Sequence, residues 1–255
     1  MIEERRDGAT AWLTFTRPEA LNAFTVAGYR ELRLVLQRLS SDDATRVVVL
    51  TGSGRAFSVG ADRSLLDGSS SAAERADASA EFTALLDVLA NFDKPLFAAV
   101  NGLSVGFGCT ALLYCDVILV AETARLRMPF TALGLVPEAG SSVLLPARTR
   151  WADAMWAMLS SEWIDSAMAY DMGLAWRVVP DAELLSQTAA AADTLAVLDP
   201  RSVAATKRLM TADRHRDVRA AISREIEAMG ALFEAHRNTS DGSETRADAD
   251  HGSRR

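Results

Sequence analysis

Three short apolar runs alternate with helical patterns in the first half of the sequence, and they constrain the fold more than any other feature. The runs are RVVVL at 46–50, PLFAAV at 95–100 and VILVA at 117–121. Apolar runs of four to eight residues are typical of buried strands, and strands that alternate with helices favour parallel crossover connections. The sequence therefore predicts an α/β fold built around a parallel sheet.

Local signals extend this pattern toward the N-terminus and through the middle of the chain. An Asp-Gly pair at 7–8 predicts a hairpin turn before the strand AWLTFT, and the spacing of leucine and valine predicts a helix over 25–39. The stretch 67–80 is polar and rich in small residues. It predicts a loop that leads into a helix ending near Ala90.

The second half of the chain has mainly helical patterns from Trp151 onward. We predict a core over residues 1–195, a C-terminal helical region over 196–237 and a disordered polar tail over 238–255, because the tail has almost no apolar residues. The apolar stretch 95–121 is long enough to suggest a membrane span, but glycine and polar residues divide it into strand, turn, helix and strand. We therefore expect no membrane segment.

Composition narrows the possible partners and chemistry. The formal net charge of −7 argues against a nucleic-acid partner, because such surfaces are usually basic. Cys109 and Cys115 lack any C-x-x-C spacing and are interpreted as small buried hydrophobes, which predicts no disulfide framework and a cytoplasmic location. The histidines all lie in the C-terminal helices or tail, which argues against a Ser-His-Asp triad and a metal site: His215, His236 and His251.

Two glycine-containing turns are the most informative chemical feature. In SGRAFSVGADRSLL, Gly60-Ala61 follows a strand and precedes a short helix, with Asp62 in its first turn or as its cap. In NGLSVGFGCTALLYCD, the turn at 106–108 opens an apolar helix. Backbone N–H groups at a helix N-terminus are unsatisfied donors with partial positive charge. Two such turns facing each other would make an oxyanion hole, whereas each alone is weak support and is often only a tight corner.

Four sequence blocks in this order and at these separations resemble the crotonase superfamily, the enoyl-CoA hydratase/isomerase family. They are RPEALNAF, VVVLTGSGRAFSVGADRSLL, KPLFAAVNGLSVGFGCTALLYCDVILVAETARL and LGLVPEAGSSVLLP, and the resemblance covers about residues 1–237. It implies a spiral core of repeated ββα units and a C-terminal helical region that forms trimers, often paired into hexamers. It also implies an acyl-CoA thioester substrate, whose coenzyme A is part of the substrate, so no separate cofactor is expected.

The resemblance also assigns roles to individual residues. The backbone N–H groups of Ala61 and Phe107 match the family's oxyanion hole, although glycine is usual in hydratases where Phe107 stands. The Phe107 side chain could either shape the acyl tunnel or pack in the core. Residues expected along the substrate path are Ala23, Ser58, Val59, Gly60, Asp62, Arg63, Gly106 and Phe130.

The acidic residues distinguish the possible reactions. Thr110 and Phe130 stand where the resemblance places the two hydratase glutamates, so both of those carboxylates are missing. Glu138, in LGLVPEAGSS, matches the single catalytic glutamate of Δ3,Δ2-enoyl-CoA isomerases. One base is sufficient to move a proton from C2 to C4, whereas hydration divides its work between two carboxylates. Glu138 could instead cap a helix that begins near Gly140, and Asp62 is the nearest competing acid.

The sequence thus favours an isomerase that shifts an enoyl-CoA double bond from the 3- to the 2-position in fatty-acid or related metabolism. A 2-enoyl-CoA hydratase, which is a lyase, and a catalytically silent CoA-binding homologue remain alternatives. Arg63 and Lys207 could bind the coenzyme A phosphates, and an ordinary solvated surface charge is at least as probable for each.

Overall fold

A computed structural model of the protein describes residues 1–66 and 69–249, with the side chains of 66, 215–216 and 236–249 excepted. Within these residues the strands are β1 (Ile2–Asp7), β2 (Thr10–Phe15), β3 (Val47–Gly52), β4 (Ala56–Ser58), β5 (Leu96–Val100), β6 (Leu103–Val105), β7 (Val117–Ala121), β8 (Arg125–Arg127), β9 (Ile164–Asp165) and β10 (Arg177–Val179). The helices are α1 (Val26–Ser40), α2 (Arg63–Leu66), α3 (Ala72–Asn91), α4 (Phe107–Thr110), α5 (Ser141–Arg148), α6 (Trp151–Ser160), α7 (Ser166–Asp171), α8 (Leu184–Ala196) and α9 (Pro200–Ala249).

The larger sheet has six strands in the order β1-β2-β3-β5-β7-β10. Its first two strands form the predicted antiparallel hairpin, with Asp7 opposite Thr10, and the remaining neighbours are parallel. The three apolar runs of the sequence form the adjacent strands β3, β5 and β7, which are buried almost throughout. The α/β fold predicted from their alternation with helices is confirmed.

The smaller sheet has four strands in the order β4-β6-β8-β9, of which the first three are parallel. Each central strand of the large sheet is followed by a strand of the small sheet, as in β3–β4, β5–β6 and β7–β8. The first two of these pairs lead directly into helices. The chain therefore advances in ββα units, which is the spiral core that the sequence resemblance implies, and the hydrophobic core includes residues of both sheets and the surrounding helices.

The predicted helices and loops differ from the structure mainly at their ends. Helix α1 begins one residue after Thr25, whose side chain accepts a hydrogen bond from the Gly28 N–H and caps the helix. The loop predicted over 67–80 is shorter, because α3 already begins after Ser71, which forms a capping box with Glu74. Positions 67 and 68 of that predicted loop lie outside the described residues.

The C-terminal half is mainly helical, as predicted, but it also contains two short strands that the sequence patterns did not indicate. Strand β9 pairs with β8, and β10 pairs in parallel with β7 at the edge of the large sheet. Strands of two or three residues are too short to show an alternating or continuous apolar pattern. Tertiary pairing therefore determines their conformation.

The final helix is longer than the sequence predicts. Its backbone continues to Ala249, whereas we predicted disorder from Asn238. The segment 238–249 contains no proline, and extending an existing helix avoids the cost of a new nucleus. Positions 250–255 of the predicted tail lie outside the described residues, and the boundaries predicted at 195 and 237 stay predictions.

The apolar stretch 95–121 is divided among β5, β6, α4, a 3-10 turn over Ala111–Tyr114, and β7. Within the part of the chain that the structure describes, no helix is long and apolar enough to cross a membrane.

Candidate active site

The site begins where two chain segments, 21–24 and 58–62, lie side by side. The Val59 N–H donates to the Leu21 carbonyl at 3.1 Å, and the Phe24 N–H donates to the Gly60 carbonyl at 2.7 Å. The Ser58 hydroxyl, fully buried between them, donates to the Asn22 carbonyl and accepts from the Gly60 N–H. These hydrogen bonds fix the backbone on both sides of Gly60.

The second glycine turn lies directly against the first. Gly60 has φ +83°, and a Cβ atom built on it would lie 2.9 Å from the Phe107 nitrogen and 2.9 Å from the Val105 carbonyl oxygen. A side chain at this position would therefore collide with backbone, which explains the glycine. The structure thus brings together two turns that lie almost fifty residues apart in the chain, as the oxyanion-hole hypothesis requires.

Two backbone donors remain unused at this junction. Among the described residues, neither the Ala61 N–H nor the Phe107 N–H donates to a protein acceptor. Phe107 is the first residue of α4, so its N–H has no partner within that helix. Two neighbouring unpaired N–H groups can stabilise a developing negative charge on a bound carbonyl oxygen.

The side chain of Phe107 packs in the interior. It is only 2% exposed, and its ring contacts those of Phe24, Tyr29 and Phe82 at centroid distances of 5.4, 5.5 and 5.0 Å. All three contacts are edge-to-face, the arrangement that aromatic rings favour. Of the two roles that the sequence left open, the structure supports core packing, while the backbone N–H of the same residue stays available.

Glu138 lies beside α4 in the turn that precedes α5. Its carboxylate is near the hydroxyl of Thr110, three residues after Phe107 on α4. Burial and then the charge of Glu225 raise the pKa of Glu138 to about 7, while the Thr110 hydroxyl acts in the opposite direction. That hydroxyl does not reach full hydrogen-bond geometry, since Thr110 Oγ1 is buried without a partner among the described residues. A carboxyl group with a pKa near neutrality is suited to act as a general base.

The acid that caps helix α5 is Glu225 and not Glu138. Gly140 is the N-cap residue, and Glu138 makes no side-chain hydrogen bond to the helix N-terminus. Instead Glu225, on α9, accepts from the Gly140 N–H at 2.7 Å and the Ser142 N–H at 3.0 Å. The alternative in which Glu138 caps this helix is therefore wrong.

Sequence reasoning missed Glu225, although one signal was present. In the last helix, Val218, Ala221 and Glu225 recur at helical spacing and all three are buried. An acid on the apolar stripe of an amphipathic helix is unusual, because burying a charge without a partner is costly. Such a residue predicts a buried hydrogen-bonding partner elsewhere in the fold.

Asp62, the competing acid, is hydrogen-bonded to neighbouring side chains and to a backbone N–H. It accepts hydrogen bonds from the Arg17 guanidinium and from the N–H and hydroxyl of Ser64. Burial raises the pKa of Asp62, but the hydrogen bonds from Arg17 and Ser64 outweigh it, so the pKa lies below its usual value. This carboxylate caps α2, as the sequence suggested, and is a poor base at neutral pH.

The other residues expected along the substrate path lie in three places. Ala23, Val59 and Gly106 belong to the two turns and the segments beside them, and Arg63 is exposed at the start of α2. Phe130 is buried in the hydrophobic core.

Lys207 does not lie near the unpaired N–H groups. It donates to an Asp116 carboxylate oxygen at 2.6 Å and to the Lys94 carbonyl at 2.7 Å. It lines a cavity of about 780 Å³ between the last helices and the core, whose lining includes neither Ala61 nor Glu138. The ion pair with Asp116 already engages the charge of Lys207, and the hypothesis that Lys207 binds a coenzyme A phosphate stays a prediction.

Cys109 and Cys115 are free and fully buried, as interpreted from the sequence. Burial raises the pKa of both thiols to about 12, so both are protonated at neutral pH. No group of metal-ligating side chains occurs among the residues described. The side chains of the three histidines lie outside them.

Comparison with known proteins identifies the family. The sequence model of the "Enoyl-CoA hydratase/isomerase" family matches residues 5–247. A "Probable enoyl-CoA hydratase" of Rhodobacter capsulatus is 36% identical over 87% of this chain and 85% of its own. "Enoyl-CoA delta isomerase 2" of Rattus norvegicus is 30% identical over 89% of this chain and 58% of its own. A crystal structure titled enoyl-CoA hydratase/isomerase, from Pseudoalteromonas atlantica, superposes with a TM-score of 0.83 at 33% identity, covering 91% of each chain. The chain belongs to the enoyl-CoA hydratase/isomerase family.

Proposed function

We propose that the protein is a Δ3,Δ2-enoyl-CoA isomerase. The observation that carries this proposal is the combination of two unpaired N–H groups with one nearby carboxylate of raised pKa, Glu138. The positions where the sequence resemblance expects the hydratase acids hold Thr110 and Phe130, which are buried and cannot exchange a proton near neutral pH.

In the proposed reaction the thioester carbonyl oxygen accepts hydrogen bonds from the Ala61 and Phe107 N–H groups. Glu138 removes a proton from C2 of a 3-enoyl-CoA, and the electron pair moves toward the carbonyl oxygen to give a dienolate. The two N–H groups stabilise that negative charge. Glu138 then returns the proton at C4, which leaves the double bond between C2 and C3 and regenerates the carboxylate.

Further features of the proposal concern partners and location. The substrate is an acyl-CoA thioester that brings its own coenzyme A, so no separate cofactor is needed. The chain acts as a homo-oligomer, a trimer or hexamer, in the cytoplasm. The apolar side chains exposed on α6 support self-association.

A 2-enoyl-CoA hydratase is the second candidate, because the Rhodobacter capsulatus relative carries that name. The assay that separates the candidates supplies purified protein with a 3-enoyl-CoA and, in parallel, with crotonyl-CoA. We expect conjugation of the 3-enoyl thioester, followed by its ultraviolet absorbance, and little hydration of crotonyl-CoA. Strong hydration would contradict the isomerase proposal, and binding of both without turnover would favour a silent homologue.

The Glu138→Gln substitution tests the proposed base. It keeps the size of the side chain while removing its basicity, so we expect isomerisation to fall by about two to four orders of magnitude. Binding of an acyl-CoA, measured by calorimetry, should persist. Asp62→Asn is the matched control on the neighbouring turn. An active Glu138→Gln variant together with an inactive Asp62→Asn variant would show that the wrong carboxylate had been assigned.

A further inference from the structure

Helix α9 packs against the turn that carries Glu138 and contributes an acidic side chain, Glu225, to it. Glu225 is only 7% exposed, and its two carboxylate oxygens accept separate backbone N–H groups, from Gly140 and Ser142. A bidentate contact of this kind between a carboxylate and the N-terminus of a helix is strong, because charge and helix dipole are complementary.

The turn itself has a backbone that needs external support. Ala139 and Gly140 have φ of +60° and +70°, and the left-handed region is unfavourable for alanine. The Tyr114 hydroxyl donates to the Ala139 carbonyl at 2.6 Å, and the Ser141 N–H donates to the Glu138 carbonyl at 3.0 Å. From the C-terminal helix, Glu225 supplies the two hydrogen bonds to this turn, and Val218 and Ile222 pack against Gly140 beside it.

Resting on the proposed function, we propose that Glu225 is a positioning residue for the base: it holds the 138–142 turn so that the Glu138 carboxylate stays beside α4. Its carboxylate also places a like charge near Glu138, which adds to the effect of burial on the pKa of Glu138. The C-terminal helix is thereby part of the catalytic apparatus without touching the substrate.

The electrostatic part of the proposal depends on which charges surround Glu138. Besides Glu225, the titratable groups that interact with it are Tyr29 on α1 and Tyr114 in the 3-10 turn. Burial, together with nearby acids including Glu138, raises the pKa of both phenols, so both are neutral over the working pH range. Glu225 is the charged group that acts on Glu138 itself, and Arg214, also on α9, is a cation that acts on the neighbouring Tyr114.

The test compares Glu225→Gln with Glu227→Gln, a control at an exposed acid two residues along the same helix. Carbon-13 labelling of glutamate carboxyls follows the titration of Glu138 in the ligand-free protein, with its resonance assigned by its loss in Glu138→Gln. In Glu225→Gln we expect the midpoint to fall by about one pH unit, since one like charge is removed. We expect kcat to fall about three- to thirty-fold with little change in KM, and its acid limb to move to lower pH. Glu227→Gln should match the wild type.

A lower melting temperature in Glu225→Gln, with kcat, its acid limb and the Glu138 midpoint all unmoved, would overturn the proposal and leave Glu225 as a helix cap only. Glu225→Asp, which keeps the charge but shortens the reach, provides the second variant if Glu225→Gln does not fold. It should retain the Glu138 midpoint while losing kcat, and an unchanged kcat would contradict the positioning role.

The carbon-13 titration does not depend on turnover. If the wild type proves inactive toward 3-enoyl-CoA, the proposed function fails, while the shift in the Glu138 midpoint still decides whether Glu225 controls its ionisation.

Discussion

Glu138 and Asp62 are two carboxylates near the same pair of turns, and their surroundings give them opposite properties. Asp62 is neutralised by Arg17 and has a lowered pKa, whereas Glu138 is half-buried, faces another acid and has a pKa raised to about 7. Divergent pKa values within one site distinguish a structural carboxylate from a base. The difference comes from environment, since the two side chains differ by one methylene.

The pKa of Glu138 determines the pH dependence of the proposed reaction. The base must be ionised, so kcat/KM for isomerisation should rise tenfold per pH unit below about 7 and level off above it. An ordinary glutamate would give a limb near its usual pKa of 4.5. Initial rates with a 3-enoyl-CoA between pH 5 and 9 provide the check, and a flat profile over this range would contradict a base that ionises near pH 7.

The same pKa predicts an effect on stability with a defined sign. Because the folded pKa lies above the unfolded value, Glu138 favours folding while protonated, and this contribution is lost as pH rises from about 4.5 to about 7. At pH 8 Glu138→Gln should therefore be more stable than the wild type, by about 2–3 kcal/mol, and the difference should disappear at pH 4. Urea unfolding at both pH values measures it. A helix cap would show destabilisation instead.

Residue types and spacing in the sequence predicted which backbone groups meet, but not which side chains surround them. The contact between the turns of Gly60 and Phe107 follows from glycines placed after strands that prove to be neighbours. The burial of the Phe107 ring depends on Phe24, Tyr29 and Phe82, which come from the segment before α1, from α1 and from α3. The acid that caps α5 lies more than eighty residues away, so its place on the apolar stripe of α9 indicates a buried partner but not which turn provides it.

At the scale of elements, α9 is fixed to the core by contacts along its length. Lys207 pairs with Asp116 just before β7, Arg219 pairs with Asp87 on α3, and Glu225 binds the N-terminus of α5. All three contacts involve charged groups. The side chains of Lys207 and Glu225 are largely buried, whereas the pair of Arg219 and Asp87 is exposed. The orientation of the last helix is therefore specified by polar geometry as well as by apolar packing.

Breaking the ion pair between Lys207 and Asp116 should be costly. Lys207 is 9% exposed and Asp116 24% exposed, so Lys207→Met leaves a shielded carboxylate whose remaining partner is the Leu96 N–H. We expect a loss of about 3 kcal/mol in the free energy of unfolding. The adjacent Arg208→Met removes an exposed ion pair with Asp93 and should cost less than about 1 kcal/mol. Equal losses in the two variants, measured by urea unfolding, would contradict this interpretation.

At the scale of the whole molecule, one face of helix α6 is unusual for a surface. Trp151, Met155 and Leu159 recur every four residues and are 68%, 39% and 61% exposed, with Trp156 beside them at 58%. A contiguous exposed apolar stripe of this kind marks an interaction surface.

We expect this surface to mediate self-association. Sedimentation of the wild type at micromolar concentration should give a trimer or hexamer, and Trp156→Asp should shift the distribution toward monomer by placing a charge in the interface. Asp193→Asn, on α8, is a control at a polar exposed position. A monomeric wild type would contradict the proposed assembly.

The central sheet could be predicted because its strands are continuous apolar runs. The elements that pack at its edge and against its helices could not be placed in the same way. The parallel α/β core follows from the order of β3, β5 and β7, and the ββα spiral follows from the family resemblance. The pairing of the edge strand β10 and the contacts of α9 with the core depend on surfaces that exist only after the core has formed. Contacts of this kind link residues with no shared sequence signal.

The link between Glu225 and the α5 turn also has a consequence for biosynthesis. The ribosome makes the Gly140 N–H eighty-five residues before the carboxylate that will accept its hydrogen bond. Throughout that interval of elongation the nascent turn must be solvated or make substitute contacts, since a buried N–H without an acceptor is unfavourable. The turn that carries Glu138 can therefore form this hydrogen bond only after residue 225 has been added, although its own residues are joined to the chain near the midpoint of synthesis.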